Sequence, residues 1–248
     1  MTPNLEGARA YVDAVRAIQD QVIQTQAEAI SQAAGAIVEA VRADRMVYIF
    51  GTGHSSMMAQ EGHFRAGGLA AVCPMFLSAL MLHEGGVLSG RLERLTGLAQ
   101  LVVDRYALAA GDVLIVFSNS GVNAVPVEAA MAAKSRGVTV IAVMSGRYAA
   151  QAPLGPAGKR LSEVADIVID NGTPPGDALV HLGDGGLRTG PASTVVGALI
   201  LNATLAEAAW RLAAAGEPVP AYISSNLPGA AAHNAHLIAR YRARNPHL

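Results

Sequence analysis

The chain has 248 residues, of which 52% are hydrophobic and 15% are charged, and its formal net charge at pH 7 is −1. This length is enough for one large domain with a substantial core, and no Pro/Ser-rich or charged linker divides residues 1–248. Basic residues are scattered apart from Arg240, Arg242 and Arg244, so the composition speaks against nucleic acid or an anionic membrane surface as a partner.

The single cysteine, Cys73, excludes an intramolecular disulfide and suits a reducing compartment. The first residues lack a basic segment followed by an apolar run, and no uninterrupted apolar stretch reaches the roughly 18 residues of a membrane span. We therefore expect a cytoplasmic protein.

Residues 5–43 predict one long helix, because apolar residues recur close to a 3.6-residue period and no proline interrupts them. Gly35 is the candidate break within this helix. The next predicted elements are a buried strand over 46–50, a helix over 55–66 with Ser55 as its N-cap, a strand over 69–73 halted by Pro74, and a short helix over 91–99.

The clearest strand is the apolar run VLIVF at 113–117, which ends in the polar loop SNSG at 118–121. A helix over 123–136, closed by Gly137, and a strand over 138–143 follow it. This order is a βαβ unit, which predicts parallel strands and a right-handed crossover.

The rest of the chain predicts a loop over 145–162, a strand over 165–169, an irregular loop over 171–190, and helices over 192–214 and 231–243. Short apolar strands that alternate with helices predict an α/β fold, a three-layer α/β/α sandwich with a mostly parallel sheet of about five strands. The ligand of such a sheet binds in loops at the carboxyl ends of the strands, here at 51–56 and 118–123.

Both of these loops are rich in Ser and Gly and stand between a strand and a helix. The free N–H groups at the start of a helix bind phosphate without a lysine, and Gly121 would allow close approach of the backbone. The loop GTGHSS at 51–56 is not a dinucleotide fingerprint, because Ser56 replaces the third glycine, and it lacks the Gly-Lys-Ser/Thr of a Walker loop. We expect a small phosphorylated ligand.

Two stretches, IFGTGHSS at 49–56 and VLIVFSNSGVNAVPVEAAMAAKSRGVTVIAVMS at 113–145, resemble the sugar isomerase (SIS) domain family. Further stretches resemble a branch of stand-alone phosphosugar-binding proteins related to N-acetylmuramic acid 6-phosphate etherase and phosphoheptose isomerase: FRAGGLA at 64–70, LMLHEG at 80–85, GKRLSEVADIVIDN at 158–171, GPAS at 190–193 and HN at 233–234. The resemblance implies a flavodoxin-like SIS fold, with a helical dimerisation element over 1–44 before a core over 45–248.

The resemblance also implies that the protein binds a sugar phosphate. It further implies a homo-oligomer whose binding sites are shared between subunits. His54 would touch sugar hydroxyls, Ser193 and Thr194 would cap the helix over 192–214 while facing the ligand, and the HN pair would complete a neighbouring subunit's site. The candidate binding residues are Gly53, His54, Ser55, Ser118, Asn119, Ser120, Gly121, Asn123, Ser193, Thr194, His233 and Asn234.

SIS enzymes generally remove the proton from carbon 2 of an open-chain sugar phosphate, which needs a carboxylate or imidazole as base. Glu61 and Glu84 are the candidate bases, and His83 is the candidate acid or orienting group. His83 and Glu84 are adjacent in an apolar stretch, where a charged pair is costly to bury unless it has a function or a partner. No metal-ligand motif is present, and we expect neither a metal nor another cofactor.

Three functions remain open from the sequence. The first is a lyase that dehydrates an amino-sugar phosphate such as N-acetylglucosamine 6-phosphate, whose carbon-2 nitrogen blocks simple ketose formation. The second is an aldose–ketose isomerase acting on a neutral sugar phosphate. The third is a non-catalytic sensor of the phosphosugar.

Overall fold

The structure, a computed structural model, describes residues 4–248. Its centre is a five-stranded, wholly parallel sheet in the order β2-β1-β3-β4-β5, which confirms the predicted α/β class. The strands are β1 (Val47–Gly51), β2 (Val72–Pro74), β3 (Val113–Phe117), β4 (Thr139–Met144) and β5 (Ile167–Asp170).

Strands β1 and β3 are apolar throughout and every residue in them is buried, as expected for strands covered on both faces of a sheet. The register aligns Val47 with both Val72 and Val113, so the three strands begin at the same level. Their carboxyl ends therefore lie together at one edge of the sheet.

Nine helices are present within residues 4–248: α1 (Glu6–Thr25), α2 (Ala27–Arg42), α3 (Ser56–Gly62), α4 (Gly86–Leu92), α5 (Leu98–Val103), α6 (Ala124–Ser135), α7 (Gly146–Gln151), α8 (Ser193–Ala214) and α9 (Ala230–Tyr241). Helices α2 and α3 each pack against α8, and α5 packs against α6, so that helical layers cover the sheet. By length and composition α8 could cross a membrane, but in the fold it is a core helix whose Val196, Ile200 and Leu212 are buried.

The N-terminal segment contains two helices, and the predicted break at Gly35 is wrong. The chain turns at Gln26, whose side-chain oxygen accepts a hydrogen bond from the Asp170 backbone N–H at 3.0 Å. Gly35 lies inside α2, which is largely buried against α8 and the sheet. Residues 27–42 are thus part of the core, and a dimerisation role for 1–44 stays a prediction.

Three regions differ from the prediction made from the sequence. The predicted helix over 91–99 is wrong, because it spans the gap between α4 and α5. The predicted loop over 145–162 contains α7, which starts where the Ser145 hydroxyl accepts the Tyr148 N–H at 3.1 Å. The glycine-rich segment over 171–190 contains an antiparallel hairpin, β6 (Ala178–His181) and β7 (Arg188–Pro191).

Candidate functional site

A cavity of about 820 Å³ lies at the carboxyl ends of β1 and β3. Strand β1 lies between β2 and β3 in the sheet. From β1 the chain adds β2 on one side and then continues with β3 on the other side, so the direction of strand addition reverses between β1 and β3. Open parallel sheets bind their ligands at such a reversal point. The cavity wall includes both Ser/Gly loops, the end of α4, the segment after α7 and the root of the β6–β7 hairpin.

The loop after β1 is a compact 3₁₀ turn over Gly53–Ser55. A Cβ at Gly51 would lie 2.5 Å from the Ser55 carbonyl oxygen, so only glycine fits there. The Ser56 hydroxyl donates to the Gly53 carbonyl oxygen at 2.8 Å and closes the turn. In this conformation Thr52, Gly53, His54 and Ser55 all line the cavity.

The loop after β3 presents a run of free backbone donors. Among residues 4–248, no hydrogen-bond acceptor is found for the backbone N–H groups of residues 119–124, whereas the Ser118 N–H still donates to Val143 in the sheet. Successive free N–H groups in a loop form an anion-binding concavity. Ser118, Asn119, Ser120 and Asn123 line the cavity here, and their contact with a sugar phosphate stays a prediction.

Asn119 fixes the shape of this loop. Its side-chain oxygen accepts hydrogen bonds from the Asn171 amide at 2.8 Å and from the Thr173 hydroxyl at 2.9 Å, and its backbone oxygen accepts from the Ser145 N–H. The loop is thereby tied to the segments that follow β4 and β5. Such a brace holds the free donors in place before a ligand arrives.

The start of α6 contributes less to anion binding than its sequence suggests. The Val125 N–H already donates to the Glu93 carbonyl oxygen at 3.0 Å, and Pro126 has no N–H. Gly121 also acts differently from the prediction, because it does not line the cavity. A glycine is needed there because its φ is +63° and because a Cβ at this position would lie 2.6 Å from the Met144 Cε.

Glu93 is the carboxylate that the structure adds to the site. It lines the cavity, its side chain is only 16% exposed, and its Oε2 accepts the Thr52 hydroxyl at 2.6 Å. Its Oε1 lies 3.2 Å from Arg94 Nη1, and its backbone oxygen holds the first turn of α6. Glu93 is therefore bound to the loop after β1 through its side chain and to the start of α6 through its backbone. No local sequence signal separates it from Glu84, because the contact with Thr52 spans 41 residues.

The three predicted catalytic residues do not line this cavity. Glu61 lies on α3 and pairs with Arg65 and with the Asn202 amide. His83 and Glu84 are exposed on a 3₁₀ turn, and only their neighbour Leu82 reaches the cavity wall. The premise of a buried charged pair was wrong, and the geometry supports none of the three as a catalytic group of its own chain.

The predicted cap of α8 by Ser193 and Thr194 is also wrong, because the cap is Asp177 at the root of the hairpin. Its Oδ1 accepts the backbone N–H groups of Ala192 at 3.1 Å and Ser193 at 2.7 Å, and its Oδ2 accepts the Ser193 hydroxyl at 2.6 Å. Asp177 and Ser193 both line the large cavity, and Thr194 lines a small adjoining space of about 20 Å³.

His233 and Asn234 lie away from the cavity and stabilise another loop. The His233 Nε2 is 2.8 Å from the Ala221 carbonyl oxygen, and the Asn234 side chain bonds both the N–H and the carbonyl of Ile223. A contribution of this pair to a neighbouring subunit's site stays a prediction.

The charged and titratable side chains of the cavity wall are His54, Glu93, Arg94 and Asp177, together with the phenol of Tyr148. In the part of the chain that the structure describes, no group of three or more His, Cys, Asp or Glu side chains is arranged to hold a metal. Cys73 lies inside β2, and burial raises the pKa of its thiol far above the ordinary value, which leaves it protonated and a poor nucleophile.

Comparisons with known proteins agree with this description. The SIS domain family matches residues 10–145. The chain is 47% identical over 219 residues to a UPF0309 protein of Brucella canis, covering 88% of this chain and 89% of that protein. It is also 47% identical over 222 residues to a UPF0309 protein of Brucella anthropi, covering 90% of each.

Among solved structures, phosphoheptose isomerase GmhA from Neisseria gonorrhoeae matches with a TM-score of 0.55 and 21% identity, over 82% of this chain and 97% of that one. The Vibrio vulnificus NanR protein complexed with ManNAc-6P matches with a TM-score of 0.51 and 16% identity, over 96% of this chain and 70% of that one. At these identities the matches show a shared fold.

Proposed function

The chain belongs to the SIS domain family and, within it, to the UPF0309 proteins, and on that basis we propose that it is an enzyme. It binds a sugar 6-phosphate in the large cavity and removes the proton from carbon 2 of the sugar. The chemistry proposed is that of a lyase acting on an amino-sugar phosphate such as N-acetylglucosamine 6-phosphate. The supporting contacts are those of the two loops and of Glu93.

The phosphate binds to the loop after β3. The unpaired N–H groups of residues 119–124 and the hydroxyls of Ser118 and Ser120 are donors, and phosphate oxygens are strong acceptors. Ser55 adds a third hydroxyl from the loop after β1. The phosphate is thus held mainly by neutral donors, as at other helix-associated phosphate sites.

Glu93 is the base, and its position is the observation on which the proposal rests. Its carboxylate accepts the Thr52 hydroxyl of the loop after β1, and its backbone carbonyl accepts the Val125 N–H in the first turn of α6, which follows the loop after β3. A ligand anchored by its phosphate on one loop places its sugar carbons along the wall where Glu93 lies. A general base has to reach the proton that it removes, either directly or through one water. Because the ligand and Glu93 are both held at this end of the sheet, Glu93 can reach carbon 2.

The reaction balances without an oxidant or a metal. Glu93 takes the proton from carbon 2 of the open-chain sugar, where the neighbouring carbon-1 aldehyde makes it acidic. The electron pair forms the carbon 2–carbon 3 double bond, and the carbon-3 hydroxyl leaves as water after it accepts a proton. His54, exposed at the cavity wall, is the donor that we assign to this last step.

The test is proton NMR of three sugars, each incubated with the protein in deuterated water. The sugars are N-acetylglucosamine 6-phosphate, ManNAc-6P and fructose 6-phosphate, and the chemistry predicts vinylic signals and water release from an N-acetylated sugar. Deuterium exchange at carbon 2 together with interconversion of aldose and ketose would contradict the lyase proposal and favour an isomerase. Saturable binding of all three sugars without any chemical change would contradict an enzymatic function and favour a sensor.

We also propose that the protein acts as a homo-oligomer. Helix α1 leaves the apolar side chains of Val12 and Ile23 exposed, at 42% and 47%, although it is otherwise a regular amphipathic helix. A second subunit would cover them. Sedimentation-equilibrium measurement of the mass tests this, and a value near the 25.5 kDa of one chain would contradict it.

A further inference from the structure

A second cavity, of about 250 Å³, lies away from the site described above. Its wall includes Phe64, Arg65, Tyr222 and residues 224–226, and it shares no lining residue with the large cavity. Helix α3 starts at Ser56, next to the loop that lines the large cavity, and ends at Gly62, two residues before Phe64. The two cavities are therefore separate.

Two sequence motifs that the proposed function does not use build this second cavity. The FRAGG segment at 64–68 pairs with the segment around Tyr222, through Gly67 N–H to the Tyr222 carbonyl at 2.7 Å and Tyr222 N–H to the Gly68 carbonyl at 2.9 Å. The HN pair at 233–234 fixes the other strand of this pairing, because Asn234 bonds both backbone groups of Ile223.

One feature of the wall points to a ligand. Phe64 has a φ of +43°, a conformation that a bulky side chain rarely adopts, and its half-exposed ring packs in a T-shaped arrangement with the ring of the buried Tyr222. Strained backbone concentrates at binding sites.

The wall is rich in donors. The guanidinium of Arg65 uses one nitrogen for Glu61, and no further partner of its remaining donors is found in the described chain. In the same residues, 4–248, the backbone N–H groups of Arg65 and Ser225 have no acceptor, and the Ser225 hydroxyl has no partner. Arg65 and Ser225 are exposed, so water satisfies these donors in the free protein, and an acceptor-rich ligand can take the place of that water.

We propose that this cavity is a second ligand site, for a small organic anion whose carboxylate or phosphate group binds to Arg65 and Ser225 and whose carbon skeleton lies on the Phe64 ring.

The test is an amide-resolved NMR titration of the whole protein with two probes, glycerol 3-phosphate and glutarate, which separate a phosphate site from a carboxylate site. Saturable shifts are expected at the amides of Arg65, Ser225 and Asn226 with at least one probe, with a dissociation constant of about 1 mM. Arg65→Gln is expected to weaken that binding about tenfold or more, because a charge-assisted bond is lost.

Arg16→Gln is the matched control, since Arg16 is an exposed arginine that is also paired with a carboxylate on its own helix. It is expected to leave the titration unchanged. Ser225→Ala provides a second variant if Arg65→Gln folds poorly. The proposal is overturned if no saturable shift occurs at these amides up to about 50 mM probe, a limit well above the expected constant, or if neither variant at the site weakens the response.

Discussion

The carboxylate of Glu93 is the group on which the proposed chemistry depends. We expect Glu93→Gln to lower turnover by about 10²–10⁴-fold, because the amide cannot accept the carbon-2 proton. The amide keeps the shape of the side chain and still accepts the Thr52 hydroxyl, so the sugar phosphate should bind nearly as before. Turnover is measured by NMR and binding by calorimetry.

Glu84→Gln is the matched control for this prediction. Glu84 has the same side chain, lies nine residues earlier in the chain and is exposed outside the cavity, so its replacement should leave turnover unchanged. A large loss in Glu84→Gln together with full activity in Glu93→Gln would reverse the two assignments.

Gly155 is the second position where one residue decides the shape of the site. A Cβ there would lie 1.9 Å from the Val122 carbonyl oxygen, and this backbone atom cannot rotate away. We expect Gly155→Ala to separate the segment after α7 from the phosphate loop, to destabilise the fold by about 1–3 kcal/mol and to weaken sugar-phosphate binding.

The comparison for Gly155 is Gly185→Ala, because a Cβ at Gly185 meets no atom within 4 Å. Urea unfolding and calorimetry of both variants separate a steric effect from a general cost of replacing glycine. Equal behaviour of the two variants would show that the loop accommodates the methyl group.

Residues of the site could be predicted where a local sequence motif marks them. They could not be predicted where contacts between residues far apart in the chain bring them to the site. Ser118 and Ser120 were predicted because a Ser/Gly loop follows an apolar strand, and both line the cavity. Glu93 was missed because its contacts reach Thr52 and Val125, far along the chain. Glu61 is near the first loop in sequence, but α3 turns it towards Asn202.

At the scale of elements, the hairpin and α8 are joined by one side chain. Asp177 caps α8 with a carboxylate that accepts hydrogen bonds from two backbone N–H groups. The backbone of Asp177 is in the left-handed region, with a φ of +66°. We expect Asp177→Ala to lower the free energy of unfolding by about 0.5–2 kcal/mol, the usual effect of losing a helix N-cap.

Asp184→Ala at the exposed tip of the same hairpin is the control, and it should change stability little. Thermal unfolding of the two variants gives the comparison. If Asp177→Ala is no less stable than Asp184→Ala, the cap does not stabilise α8.

Elements were predicted well where one strong pattern acts alone. Strand β3 has the predicted bounds, and Gly137 follows α6 with a φ of +76°, as a helix-ending glycine should. The hairpin was missed because its many glycines conceal the alternation of its strands. The turn at Gln26 was missed because the packing of α2 on α8, and not the local sequence, decides where the helix ends.

At the scale of the whole molecule, two histidines make stability depend on pH. Burial lowers the pKa of His63 and of His247, and the rings lie edge to face with centroids 6.2 Å apart. Unfolded histidine titrates near a pKa of about 6.5, so below that pH the unfolded chain binds more protons than the folded one. Stability is therefore full above about pH 6.5 and falls as the pH drops towards the folded pKa values.

Urea unfolding between pH 8 and pH 5 measures this loss. His63→Gln is expected to reduce the loss of stability on the acid side, whereas His236→Gln, which changes an exposed histidine on α9, should leave it as in the natural sequence. An acid-side loss that is the same in all three proteins would show that other groups cause it.

We propose that one cavity holds the sugar phosphate on the loop after β3 and presents carbon 2 to Glu93. A crystal structure of the Glu93→Gln variant with N-acetylglucosamine 6-phosphate tests this most directly, because the variant should bind without turnover. We predict phosphate oxygens within hydrogen-bond distance of the N–H groups of residues 119–124 and carbon 2 beside residue 93. Phosphate bound elsewhere, or carbon 2 turned away from residue 93, would contradict it.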